Sequence, residues 1–247
     1  MELTKNNIKL VRDLERAKTR RESGLFKAEG TKLVADTIGH FEREALFATS
    51  AWLAEHPDVE GTTAKRADLE RMSSLSTAPE VIAVYRQPRW QFDPAEASRN
   101  LVLALDTIQD PGNLGTIVRI ADWFGIHDII CTRETVDLFN PKTVQATMGA
   151  LSRVRVHYLD LPATLRSLDC PVYGTFLGGE NIYSAGLSNS GVIVVGNEGK
   201  GISPEVAETV TKRLTIPSYP PAEPTSESLN AAVATAITVS IFRQKYG

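Results

Sequence analysis

Three short polar clusters, each following an apolar run, carry the residue types from which a site for polar chemistry is built. The first holds Asn113 and Arg119 around Gly112 and Gly115. The second is Gly196-Asn197-Glu198-Gly199-Lys200-Gly201, which follows Val192, Ile193, Val194 and Val195. The third is Ser228 with Asn230 before a final helical pattern. An arginine presents a permanently charged planar fork suited to a phosphate or a developing oxyanion. A carboxylate such as Glu198 only accepts hydrogen bonds, whereas amides and hydroxyls both donate and accept. Glycines at 196, 199 and 201 permit positive φ and let a ligand approach the main chain closely. A loop of this kind after a buried strand sits where open α/β sheets place their ligands. Each position also has an ordinary reading, as a turn asparagine, a solvated acid or a helix N-cap.

Two familiar nucleotide motifs fail on spacing. Gly112-Asn-Leu-Gly115 lacks the paired glycines that bring a pyrophosphate onto a helix end. Gly199-Lys200-Gly201 has glycine where a P-loop needs Ser or Thr for magnesium. Cys131 and Cys170 are isolated, and His40, His56, His127 and His157 lack ligand spacing, so no disulfide and no metal are expected.

The elements that must position the clusters follow from periodicity. The stretch 101–106 reads as a buried strand, and a helix with Ile117, Ile120, Ala121 and Phe124 on one side follows the 110–115 turn. Further strands are expected at 128–132, 154–158, 172–177, 192–196 and 214–217, with helices between them. That alternation predicts a parallel sheet with helices on both faces. A last helix is expected over 226–246, with Leu229, Val233, Ile237 and Ile241 as its apolar stripe, buried against the sheet or a partner. Ahead of these lie strands at 26–30, 45–48 and 81–85, with helices at 8–17, from Thr31 as cap, from 50 and at 67–74. The domain boundaries expected are 1–87, a proline-bearing linker at 88–100, and 101–247.

Composition sets the outer limits. The 247 residues include 42% hydrophobic and 23% charged, with a net charge of −3, as in a soluble globular protein rather than a nucleic-acid coat. Charge placement still allows RNA, because the first 21 residues hold seven Lys/Arg, including Arg20, against three acids. The amino terminus is too polar for a signal peptide, and 229–242 is too short and polar to span a bilayer, which predicts a cytoplasmic protein.

The ordered trio Asn113-x-Gly115-x3-Arg119, then Gly196-Asn-Glu-Gly-Lys-Gly201, then Ile216-Pro217 with Ser228-Leu-Asn230, resembles the three motifs of the SpoU (TrmH-type) RNA ribose 2′-O-methyltransferases of the SPOUT superfamily. The likeness covers residues 101–242. Arg20-Arg-Glu-Ser-Gly-Leu-Phe-Lys-Ala-Glu-Gly30 resembles the family's substrate-binding domain more weakly. Ala231-Ala232 departs from the Val-Ser pair common in the family, which leaves a second serine without a counterpart.

The resemblance implies an α/β fold with a SPOUT-type parallel sheet, a deep trefoil knot on its carboxyl-terminal side and a small α/β substrate-binding domain in front. It implies S-adenosyl-L-methionine as cofactor, held around Thr175, Leu177, Gly178, Gly196, Asn197, Gly201, Ile216 and Leu229. It further implies a homodimer and an RNA substrate, with ribosomal RNA favoured over transfer RNA because a separate substrate domain is present. A non-catalytic RNA-binding protein retaining the fold stays open. Arg119 matches the position implied to assist the 2′-hydroxyl. Since a guanidinium has an intrinsic pKa of roughly 12.5–13.8, a phosphate-orienting and alkoxide-stabilising role is favoured over proton abstraction. By the same likeness Asn113 would hold the ribose or the Arg119 loop, Glu198 would fix Arg119 or a neighbouring amide, and Ser228 and Asn230 would complete the site or cap the last helix.

Overall fold

The computed structural model describes residues 2–220, 223 and 226–244. The chain forms two compact units, one of residues 1–89 with 137–152 and one of 90–136 with 153–247. The second is therefore discontinuous, whereas the sequence suggests an uninterrupted 101–247.

The first unit contains α1 (Lys5–Asp13), α2 (Ala17–Ser23), β1 (Leu25–Glu29), α3 (Thr31–Thr37), β2 (Arg43–Ala48), α4 (Ser50–Glu55), β3 (Thr62–Thr63), α5 (Arg66–Met72) and β4 (Val81–Arg86). Its sheet has the order β1-β4-β2-β3, with β4 antiparallel to both β1 and β2. Val11 and Leu14 pack with Phe47, Leu69, Ile82 and Val84 in one buried cluster, which explains the helical apolar spacing in 8–17. The expected single helix there is two, because the chain breaks between Asp13 and Ala17. Gly30, not Thr31, occupies the cap position of α3, at φ +95°, and the Thr31 hydroxyl instead accepts from the Trp52 indole at 2.9 Å.

Arg20 is no phosphate contact. It is 2% exposed; its Nε donates to Asp137 Oδ2 at 2.8 Å and its Nη1 to the carbonyls of Leu14 and Glu15 at 2.8 Å each. Burying a guanidinium is tolerable only with such complete pairing. The partner Asp137 opens the 137–152 segment that joins this unit. That segment fits because Gly149 stands at φ +89° with Asp36 Cβ 2.4 Å from where a side chain would begin.

The second unit holds α6 (Ala95–Arg99), β5 (Leu101–Leu105), α7 (Pro111–Trp123) and β6 (Asp128–Cys131). After α8 (Pro141–Thr147), which lies in the first unit, come β7 (Arg155–Tyr158), α9 (Leu161–Arg166), β8 (Val172–Asn181), β9 (Gly191–Val195), α10 (Pro204–Ala207), β10 (Lys212–Thr215) and α11 (Ala231–Gln244). The sheet order is β10-β8-β9-β5-β6-β7, and every neighbouring pair is parallel. β5 and β9 are buried throughout, as continuous Leu/Val/Ile runs require of central parallel strands. Helices cover both faces. Val102, Ala104, Val192 and Val194 pack with Ala97, Leu161, Leu165 and Val206, while Tyr173 meets Phe242 of α11 edge-on at 4.9 Å. The expected linker contains α6, and Ala97 is wholly buried.

The last helix begins at Ala231 rather than 226, and Tyr246 lies outside the described residues. Its buried face is Ala231, Ala232, Thr235, Thr238, Val239, Ile241 and Phe242. Of the expected stripe only Ile241 is buried. Leu229 and Val233 are 47% and 49% exposed.

Candidate active site

Three strand ends supply the loops. β5 runs into Asp106 and Thr107 and then α7; β9 runs into the 196–201 loop; β10 runs into Ile216. Asp110 caps α7 through Oδ1, which accepts from Asn113 N at 2.8 Å, and Pro111 fills the first helical position, where no N–H is needed. The Asn113 side chain is thereby set at the helix entrance.

There it joins the other two clusters. Asn230 Oδ1 accepts from the N–H groups of Ala232 and Val233, at 2.9 and 3.3 Å, so its Nδ2 points away and donates to Asn113 Oδ1 at 2.9 Å. Asn113 Nδ2 in turn donates to Glu198 Oε1 at 2.6 Å. Glu198 can only accept, so the chain Asn230 to Asn113 to Glu198 has one hydrogen-bond direction. Asn230 is thus both helix cap and a member of this hydrogen-bonded chain. Glu198 meets an amide and not Arg119.

The 196–201 loop is held from within and from β5. Asn197 Nδ2 donates to Thr107 O at 2.8 Å, and Asn197 Oδ1 accepts from Gly199 N and Lys200 N at 3.0 Å each. Gly196 leaves no room for a side chain, since a Cβ there would lie 2.3 Å from the Gly201 carbonyl carbon. Thr107 takes φ 60°, costly for a β-branched residue, and uses all its polar groups. Its N–H donates to Thr132 Oγ1 and its hydroxyl to Asp106 Oδ1, while buried Asp106 also accepts from Ser203 N at 2.6 Å. Nothing in a single sequence marks Asp106 or Thr107, because their partners lie on other strands.

Beside this network opens a recess of about 650 Å³. Thr175, Leu177, Gly178 and Gly196 line it, together with Asn197, Gly201, Ile216 and Leu229. Glu198 and Ser228 also border it, and Ser228 has no hydrogen bond among the described residues. Sequence reasoning missed Arg213 and Glu227, which also line it, and Phe176 as a side chain. Arg213 lies over the Phe176 ring at 4.1 Å, a pairing between β10 and β8 that only the strand order creates. Arg119 is exposed, outside the recess lining, and has no ion pair or hydrogen bond among the described residues. It stands six residues beyond Asn113 on α7, about 9 Å along the axis and about 120° round it.

The mixed walls suit a ligand with a flat base and a charged end. Leu177 is 81% exposed, and with Ile216 and half-open Leu229 it forms an apolar wall. Glu198 and Glu227 supply negative charge, and the glycine loops supply main-chain groups. Among the described residues no cluster of His, Cys, Asp and Glu could hold a metal ion.

The model of the SpoU rRNA methylase family matches residues 100–240. The chain belongs to that family. A second model, the MRM3-like substrate binding domain, matches residues 5–83 of this SpoU family member. The 23S rRNA (guanosine(2553)-2′-O)-methyltransferase RlmP of Bacillus subtilis is 35% identical over 172 residues, which are 68% of this chain and 66% of the relative, just under two thirds of its length. A TrmH-family protein from Porphyromonas gingivalis superposes with a TM-score of 0.89 at 40% identity, covering 99% of this chain and all of the other. An AdoMet-bound rRNA methyltransferase from Sinorhizobium meliloti superposes with a TM-score of 0.85 at 29% identity, over 99% of this chain and 97% of that one.

Proposed function

We propose that this SpoU family member is an S-adenosylmethionine-dependent RNA methyltransferase that methylates a ribose 2′-hydroxyl of ribosomal RNA. The carrying observation is a convergence: all eight residues expected to hold the cofactor border one recess, and that recess adjoins the Asn230–Asn113–Glu198 chain. The activities that the relatives are named for favour ribosomal over transfer RNA.

When bound, S-adenosylmethionine supplies an electrophilic sulfonium methyl. The protein's task is to hold a ribose against it and to favour charge on the 2′-oxygen. Leu177, Ile216 and Leu229 would flank the adenine, with main-chain groups near Thr175, Gly178, Gly196 and Gly201 taking its polar edges and Asn197 fixing that loop. Arg119, free and exposed, would hold a target phosphate and stabilise the developing alkoxide. Asn113 and Glu198, locked together, would orient the ribose, and Ser228 and Asn230 would close the far side.

The connectivity of the six-stranded sheet and the family likeness support a trefoil knot at the carboxyl-terminal side. The unit of residues 1–89 with 137–152 would serve as the RNA-binding domain, and that of residues 90–136 with 153–247 as the catalytic domain. A homodimer is supported by three exposed apolar side chains on or beside two touching helices: Trp123 at the end of α7, 86% exposed, with Leu229 and Val233 at the start of α11. No helix among the described residues is long and apolar enough to cross a membrane.

Calorimetry with S-adenosylmethionine tests the cofactor. One site per chain of micromolar order is expected. No heat with it or with S-adenosylhomocysteine, but clear heat with ATP or NAD, would overturn the reading.

A further inference from the structure

A second recess lies wholly within the first unit, and none of its lining residues belongs to the first recess. It holds about 330 Å³, the lower end of the range for small-ligand pockets and room for one nucleotide rather than a long strand. Its walls come from two parts of the chain. Ser74 and Leu75 follow α5, while Pro141, Lys142, Gln145 and Ala146 belong to α8.

The floor is rigid. Lys27 and Glu29 of β1 form an ion pair at 3.0 Å, their side chains 0% and 4% exposed. Lys27 Nζ also donates to Met72 O at 2.6 Å, and the Glu29 carboxylate accepts from Ser73 Oγ at 2.5 Å and Ser74 N at 3.0 Å. Burying such a pair costs several kcal/mol of desolvation per ion. What it achieves here is to fix the 73–75 rim against β1. The only acid lining the recess is Glu29, already matched by Lys27.

The rim is chemically unspent. Gln145 is half-buried, and its side-chain amide has no hydrogen bond among the described residues. The exposed Lys142 ammonium and Ser74 hydroxyl are likewise without partners there. Leu75, 37% exposed, and Pro141 supply flat apolar surface. An amide offers a donor beside an acceptor, the pairing that reads a base edge. Aliphatic walls accept an unstacked base, and a free ammonium suits its phosphate.

We infer that this recess receives one unpaired nucleotide of the substrate RNA, its base edge on Gln145 and its phosphate on Lys142. The inference rests on the reading of the chain as an RNA methyltransferase. It goes further by placing a base-reading site in the unit that carries no part of the cofactor recess. The match of residues 5–83 to a substrate-binding domain fits that placement, although α8 comes from sequence beyond the match.

The test uses the full chain and fluorescein-labelled single-stranded homopolymers of adenylate, cytidylate and uridylate, with affinity read by anisotropy over a salt series. Gln145→Ala should weaken binding of one homopolymer by about 5–100-fold, the worth of one bidentate base contact, and the others much less. Lys142→Ala should weaken all three and lower the slope of log affinity against log salt by about 0.7, one phosphate contact on a single strand. Melting temperature and the heat with S-adenosylmethionine should stay at wild-type values in both variants. If wild type binds RNA and S-adenosylmethionine but Gln145→Ala changes nothing, or weakens all homopolymers equally, the site is refuted and the enzymatic reading stands. Cofactor heat with no binding of any homopolymer by wild type at low salt would also refute the site. Absence of both RNA binding and cofactor heat would overturn site and enzymatic reading together.

Discussion

Asn113 Nδ2 donates to Glu198 Oε1 at 2.6 Å across 85 residues of sequence, and the donor's own oxygen is taken by Asn230 from a third loop. The link has a single polarity, so it can be broken in two distinguishable ways. Asn113→Ala frees the exposed Asn230 amide and the half-buried Glu198 carboxylate, at a cost of about 0.5–1.5 kcal/mol. Asn113→Asp should be worse at neutral pH, because two carboxylates then face each other. It should recover in part as pH falls, since a protonated carboxyl can again donate to Glu198. Thermal melts across pH check this. Equal stability of the two variants at every pH would show that the link carries no directional load.

Arg119 of α7 is exposed and has no partner among the described residues, and on the proposed reading its substitution should touch catalysis alone. Arg119→Ala should lower methyl transfer by about 10²–10³-fold, the scale for losing one preorganised charge stabiliser. Cofactor heat and melting temperature should hold. Arg119→Lys keeps charge but loses the planar fork, so partial activity marks charge stabilisation and complete loss marks geometry or proton abstraction. A fall in cofactor affinity and melting temperature together, with turnover kept, would make the residue structural.

Away from the recess, Asp128 ties β6 to β7. Its carboxylate accepts from His157 Nε2 at 2.7 Å and from Arg155 Nε at 2.9 Å. Burial pushes its pKa up, but the hydrogen bonds from His157 and Arg155 outweigh that and hold it below the usual aspartate range. A depressed acid stabilises the fold above its unfolded value and loses that contribution as pH drops through the folded one. Wild type should therefore lose stability below about pH 3.9, and Asp128→Asn should flatten that limb while costing about 1–3 kcal/mol at neutral pH. Chemical denaturation at several pH values decides it; an unchanged acid limb in the variant would assign the loss to other carboxylates.

Much of this site was legible because it is written in local patterns. The Val192–Val195 run with its glycine turn, and the Asp110-Pro111 helix start, need no distant partner to be recognised. What stayed hidden depends on contacts across the chain. Arg20 looked like a surface cation because its partner Asp137 stands 117 residues away. The last helix misled differently. Thr235 returns its hydroxyl to Ala231 O at 2.7 Å, so small and hydroxyl residues share the buried face with Val239, Ile241 and Phe242, while Leu229 and Val233 of the apolar step stand exposed. The 137–152 segment gave no sign that it packs with the first unit, since its helix reads alike in either place.

The central claim is that the 650 Å³ recess and the three joined loops transfer a methyl group to a ribose oxygen of RNA. The direct measurement incubates the purified chain with ribosomal RNA from a strain lacking it and methyl-labelled S-adenosylmethionine. The label is then located by nuclease digestion and mass analysis of nucleosides. The account predicts label in RNA, all of it as 2′-O-methylribose, and about 10²–10³-fold less with Arg119→Ala over the same interval. Label on a base, or transfer that survives Arg119→Ala undiminished, would contradict it.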